Sequence, residues 1–136
     1  MEPSNARFGT NTNIMNSANV LWVGLGGGLG AIARYVVSLI FQSSETHRFP
    51  WSTLTVNLLG CFVIGLCWQY LSKNVQLNAF WLIGFLGGFT TFSSFGLDGL
   101  KLINQGAFTQ FSAYVLISNI VGLFLVFIGV KVAELI

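Results

Sequence analysis

Four long apolar stretches, Val20 to Phe41, Thr53 to Leu71, Ala79 to Ile103 and Ala107 to Leu135, decide what this chain can become. Each is close to or above the ~20 residues that a helix needs to cross the hydrocarbon core of a bilayer. Inside that core every backbone N–H and C=O must be paired within the protein, so such spans fold as helices. The connections, Gln42 to Ser52, Ser72 to Asn78 and Asn104 to Gly106, leave no room for a second domain. The expected fold class is therefore all-α membrane protein, with four transmembrane helices over residues 20–136. A polar tail, Met1 to Asn19, precedes them, and it lacks the apolar core of a secretory signal. Trp22, Trp51, Trp68 and Trp81 lie near span ends, as interfacial anchors do. The expected location is the cell (inner) membrane, crossed several times.

Composition agrees and removes several function classes. Only 7% of residues are charged, against about a quarter in soluble domains, so lipid is the main solvent. A net charge of +2 is too small to argue for a nucleic-acid partner. Cys61 and Cys67 sit six apart on one helix, out of disulfide reach, and behave as small apolar residues. His47 falls in a polar connection, and no acid–base pair, nucleophile set or metal-ligand cluster is legible, so an enzyme is not expected. Proton-coupled pumps use carboxylates deep in the membrane, whereas the nearest acid here, Asp98, sits at the edge of the third span.

The basic residues are evenly divided. Arg7, Lys73 and Lys131 fall on the side of the N-terminus, and Arg34, Arg48 and Lys101 fall on or toward the other. Orientation follows an excess of Lys and Arg on one side, and this chain has almost none. The division fits either a charge count too low to read or dual topology, in which copies insert both ways and pair as an antiparallel dimer.

The third span contains the stretch Gly84 to Asp98, GFLGGFTTFSSFGLD, which is too apolar for a loop and too rich in Gly, Thr and Ser for a sound helix. A local break is expected near Gly87 to Thr91. Irregular backbone at membrane depth is tolerated where it lines a cavity or binds an ion, which makes this stretch the candidate site. Its carbonyls would suit a hard cation such as Na⁺.

Uncharged donors surround it: Asn57 in the second span, Thr90, Thr91, Ser93 and Ser94 in the third, Tyr114 and Ser118 in the fourth. Asn57 either links helices or donates to an anion stripped of water. Asn119, about 100° around from Ser118, is expected to tie helices together. Phe92 and Phe95 are either packing residues or rings that turn a positive edge to an anion. Arg34 either reaches the interface or places a positive charge at a pore mouth. The glycine-rich run Gly24 to Ala31 is expected to be a close packing surface; its loose match to a dinucleotide fingerprint lies inside an apolar span, the wrong context.

TLTVNLLG from Thr53 to Gly60, GFLGGFTTFSSF from Gly84 to Phe95, and Arg34-Tyr35 after a glycine-rich first helix closely resemble the Fluc (CrcB) family of fluoride channels. The resemblance runs from about Val20 to the C-terminus. It implies an antiparallel dual-topology homodimer in membrane lipid, conducting fluoride ion passively, with one structural Na⁺ at its centre. By position it implies that the backbone carbonyls of Gly87 and Thr90 hold the Na⁺, and that Phe92 and Phe95 line the pore. It further implies that Asn57 is the amide donor beside them, with Ser94, Tyr114 and Ser118 in a polar track. Two residues depart from the family's pattern: Gly122 stands where serine is familiar, and Asp98 where glutamate is. The rival functions are a small four-helix drug exporter, which would need a glutamate that the first span lacks, and a non-transporting membrane subunit.

Overall fold

A computed structural model describes residues 17–42 and 49–136, and the described chain is mostly helical. Four helices are long and apolar enough to cross a membrane: α1 (Ser17–Gln42), α2 (Trp51–Leu71), α3 (Val75–Asn104) and α4 (Phe108–Ala133). They match the four expected spans, although α1 starts inside the expected tail. The rest of that tail, with Glu2 and Arg7, and the part of the first connection at 43–48, with Glu45, His47 and Arg48, lie outside the described residues.

Local chemistry sets the helix ends. Asn74 caps α3, its Oδ1 accepting from the N–H groups of Gln76 at 3.0 Å and Leu77 at 3.1 Å. At the far end Gly106 takes φ +68°, a left-handed position that favours glycine. Its N–H donates to the Ile103 carbonyl, and that of Ala107 donates to the Leu102 carbonyl, both at 2.9 Å. This closure satisfies the last carbonyls of α3 and reverses the chain into α4.

Helices in lipid gain little from burying apolar surface against one another, so close backbone approach carries the packing. The glycines show where it happens. A Cβ on Gly26 would collide with the Phe80 carbonyl, and one on Gly30 with the Phe85 carbonyl. From the opposite helix, a Cβ on Gly88 would meet the Gly27 carbonyl, and one on Gly84 would come within 2.8 Å of the Val23 carbonyl. Gly26, Gly27 and Gly30 thus form a packing stripe against the first half of α3, whereas Gly24 and Gly28 of the same run have open space where a Cβ would stand. α2 and α4 form the second close pair, where Gly65 lies against the Val126 carbonyl and Gly129 against that of Phe62.

Polar links fix the two ends of the bundle. Tyr70 Oη donates to the Ala133 carbonyl at 3.1 Å, holding the ends of α2 and α4 together. At the opposite end Thr53 Oγ1 donates to Asp98 Oδ2 at 2.7 Å, and Lys101 Nζ pairs with Asp98 Oδ1 at 3.0 Å. Between the ends, long apolar side chains such as Leu25, Ile40 and Leu123 face outward, the arrangement of a multi-pass membrane protein.

Candidate anion site at the helix break

The helix of α3 stops at Phe89 and resumes at Phe92. Thr90 (φ −78°, ψ 158°) and Thr91 (φ −153°, ψ 118°) are extended between the halves. Their hydroxyls explain the stop. Thr90 Oγ1 turns back to the Leu86 carbonyl at 2.8 Å, beside its own N–H at 2.9 Å. Thr91 then caps the second half, its Oγ1 accepting from the Ser94 N–H at 3.2 Å. The expected window was right, but Gly87 keeps helical angles and Gly88 serves packing. Side-chain capping, rather than glycine freedom, makes the break.

Asn57 reaches across from α2 and clasps the extended segment. Its Oδ1 accepts from the Thr91 N–H at 2.9 Å, and its Nδ2 donates to the Thr91 carbonyl at 3.0 Å. The carboxamide thereby replaces the pairing that helix would have supplied to that residue. In an unbroken helix the Thr91 N–H would serve the Gly87 carbonyl, and the Ser94 N–H would serve the Thr90 carbonyl. Both donors are diverted, the first to Asn57 and the second to the Thr91 hydroxyl. The carbonyls freed this way include both of the expected cation ligands. Gly60 is what lets α2 approach, since a Cβ there would overlap the Thr90 methyl group.

Two cavities flank this segment. One, of about 380 Å³, is lined by Asn57, Gly87, Thr90, Phe92, Phe95 and Ser118, together with Asn119 and apolar residues. The other, of about 310 Å³, is lined by Arg34, Ser38, Thr53 and Ser94 among others. Thr91 borders both. The first has no charged side chain in its lining; the second contains Arg34, which has no ion pair among the described residues.

The predicted site residues therefore separate into two groups, with Tyr114 apart. Tyr114 is fully buried behind Phe95, with ring centroids 5.0 Å apart, in a cluster with Leu54, Leu102 and Ala107. Among the described residues, neither its buried hydroxyl nor that of Ser118 meets a partner in hydrogen-bond geometry. Buried polar atoms in that condition are uncommon and call for an explanation. Phe92, by contrast, is 84% exposed, its ring centroid 5.5 Å from that of Phe95.

Asn119 is corrected by the structure. Residues Ile117–Val121 form a π-helical turn, which widens the helix and puts Asn119 beside Ser118 on the first cavity. Its Nδ2 donates to the Val115 carbonyl of its own helix at 2.7 Å, so it ties no two described helices together. Regular helical spacing gave no sign of the wider turn. Thr91 was also undervalued, because its part depends on a partner 34 positions away.

Residues 21–130 match the family described as "CrcB-like protein, Camphor Resistance (CrcB)". The chain belongs to the CrcB-like family. A relative from Helicobacter acinonychis is 46% identical over 114 residues, covering 80% of this chain and 90% of its own length. Another from Salinibacter ruber is 43% identical over 114 residues, covering 81% and 85%. A third, from Hahella chejuensis, is 37% identical over 126 residues, covering 90% and 99%. All three are named "Fluoride-specific ion channel FluC". CrcB-like relatives are thus named as channels rather than enzymes, and the likeness read from the motifs of α2 and α3 is that family's.

Proposed function

We propose that this chain forms a fluoride-selective passive channel, built as an antiparallel homodimer that lets fluoride leave the cytoplasm. The observation that carries the proposal is the cavity at the break of α3, lined by neutral donors and two phenylalanines with no acid or base among them. The relatives' name supplies the ion. A small hard anion gives up its water only where other donors replace it. Arg34 concentrates anions at one mouth, beside the Ser94 hydroxyl. The second Nδ2 proton of Asn57 and the hydroxyl of Ser118 are donors farther in, and the Tyr114 hydroxyl would join them only where Phe95 turns aside. The edges of Phe92 and Phe95 complete the path. With no carboxylate, imidazole or amine among the residues lining this cavity to couple a second ion, conduction runs down the electrochemical gradient.

What one copy leaves uncovered supports the dimer. Phe92 stands exposed beside a cavity whose Gly87 has nothing within 4 Å of a Cβ position. Polar backbone facing lipid is costly, and a second copy would cover it. The Gly87 and Thr90 carbonyls fit a Na⁺ ion there, because their helical donors are diverted and a hard cation takes oxygen ligands. Bound Na⁺ would supply the positive charge that holds such carbonyls together at the dimer centre.

Two tests bear on this function. A bacterial strain lacking its own fluoride export should regain growth on fluoride when it expresses this chain; continued sensitivity despite membrane expression would count against the channel. A tag at either terminus should be reachable from both faces of the membrane, and a single orientation would exclude the antiparallel dimer.

A further inference from the structure

Asn119 is a carboxamide on a membrane helix, exposed in the single copy, and no role is yet assigned to it. Its carboxamide is held against α4 by one bond, Nδ2 to the Val115 carbonyl at 2.7 Å. The other Nδ2 proton and the Oδ1 have no partner among the described residues. A carboxamide with donors to spare is expensive to leave in hydrocarbon. The cavity it lines gives it a use, since Asn57 and Ser118 border the same space. One turn on, Gly122 faces Cys61 Sγ and Leu58 and offers no donor. Asn119 is its polar neighbour at the i,i+3 spacing. The π-helical turn Ile117–Val121 carries both Ser118 and Asn119, which border one cavity.

We propose that Asn119 is a second carboxamide donor of the pore, setting how strongly the central cavity holds fluoride; this rests on the channel function proposed above. The bond to Val115 fixes the group before the ion arrives, so its free N–H serves the anion with little reordering. A chain with serine alone at this level would present one donor fewer.

The test is fluoride efflux from liposomes holding the full-length wild type, Asn119→Ala, Asn119→Ser or Asn119→Asp, each checked for dimer by size-exclusion chromatography. A hydrogen bond to an ion is worth enough for its loss to lower flux at low fluoride by about tenfold or more in Asn119→Ala. The fluoride concentration for half-maximal flux should rise with it. Asn119→Ser, which keeps a donor, should recover part of the loss. Asn119→Asp should fall below alanine, because an ionised carboxylate donates nothing and repels the anion. A role confined to bracing α4 would leave the half-maximal concentration unchanged. Flux and half-maximal concentration within twofold of wild type in Asn119→Ala dimers would overturn the proposal while leaving the channel in place. Should alanine fail to assemble, wild-type concentration dependence in assembled Asn119→Asp would overturn it equally. A wild type that passes no fluoride would fail at the earlier step, and the channel function would go with it.

Discussion

Replacing either Phe92 or Phe95 with isoleucine is expected to lower fluoride efflux by about tenfold, and replacing both by about a hundredfold. Isoleucine keeps the apolar bulk, so packing around Tyr114 and the assembly of the dimer should survive. What it removes is the ring edge. A well-placed aromatic edge is worth up to about 1.5 kcal/mol beyond its burial, which is close to a factor of ten. The two rings are neighbours at 5.5 Å, in line with a shared task. Their environments differ, Phe92 being exposed and Phe95 partly buried against Tyr114, so Phe95→Ile should also cost some stability. Unaltered efflux from the assembled double variant would take the rings out of the mechanism.

Asn57→Ala should have the larger structural consequence. It leaves the Thr91 N–H and C=O, both at membrane depth, without the partner each now has. An unpaired buried backbone group costs about 1–3 kcal/mol, so two come to roughly 2–6 kcal/mol. The measurement is thermal melting of the detergent-solubilised protein alongside efflux, and both should drop. Asn57→Asp separates the contributions, since a carboxylate can still accept from the Thr91 N–H but no longer donates to its carbonyl. An aspartate variant melting between wild type and alanine would fit the two-bond clasp. Alanine with wild-type melting and efflux would show that the clasp matters to neither.

Much of this was legible in the sequence because lipid imposes simple demands. Span length gave the four helices, and the density of Gly, Thr and Ser gave the window of the break. The glycine run of α1 was readable as a packing stripe because small residues at helical spacing have few other uses in a membrane. The mechanism of the break was less accessible. It depends on Thr90 folding back on Leu86, Thr91 capping Ser94 and Asn57 arriving from another helix, and only the first two are local. Asn57 was left open between linking helices and donating to an anion; the structure shows the link and leaves one proton over. Asn119 was misplaced because a 100° step per residue does not hold through a π-helical turn. Tyr114 and Ser118, expected on one helical face from their spacing, meet different surroundings: Phe95 covers the first and the cavity reaches the second.

The most direct measurement is passive efflux from liposomes carrying the purified wild-type protein, followed with a fluoride electrode and repeated with chloride under the same gradient. Rapid fluoride loss with little chloride loss and no added energy source is the predicted result. Equal passage of both anions, or retention of fluoride by vesicles holding well-folded dimers, would contradict a selective fluoride channel.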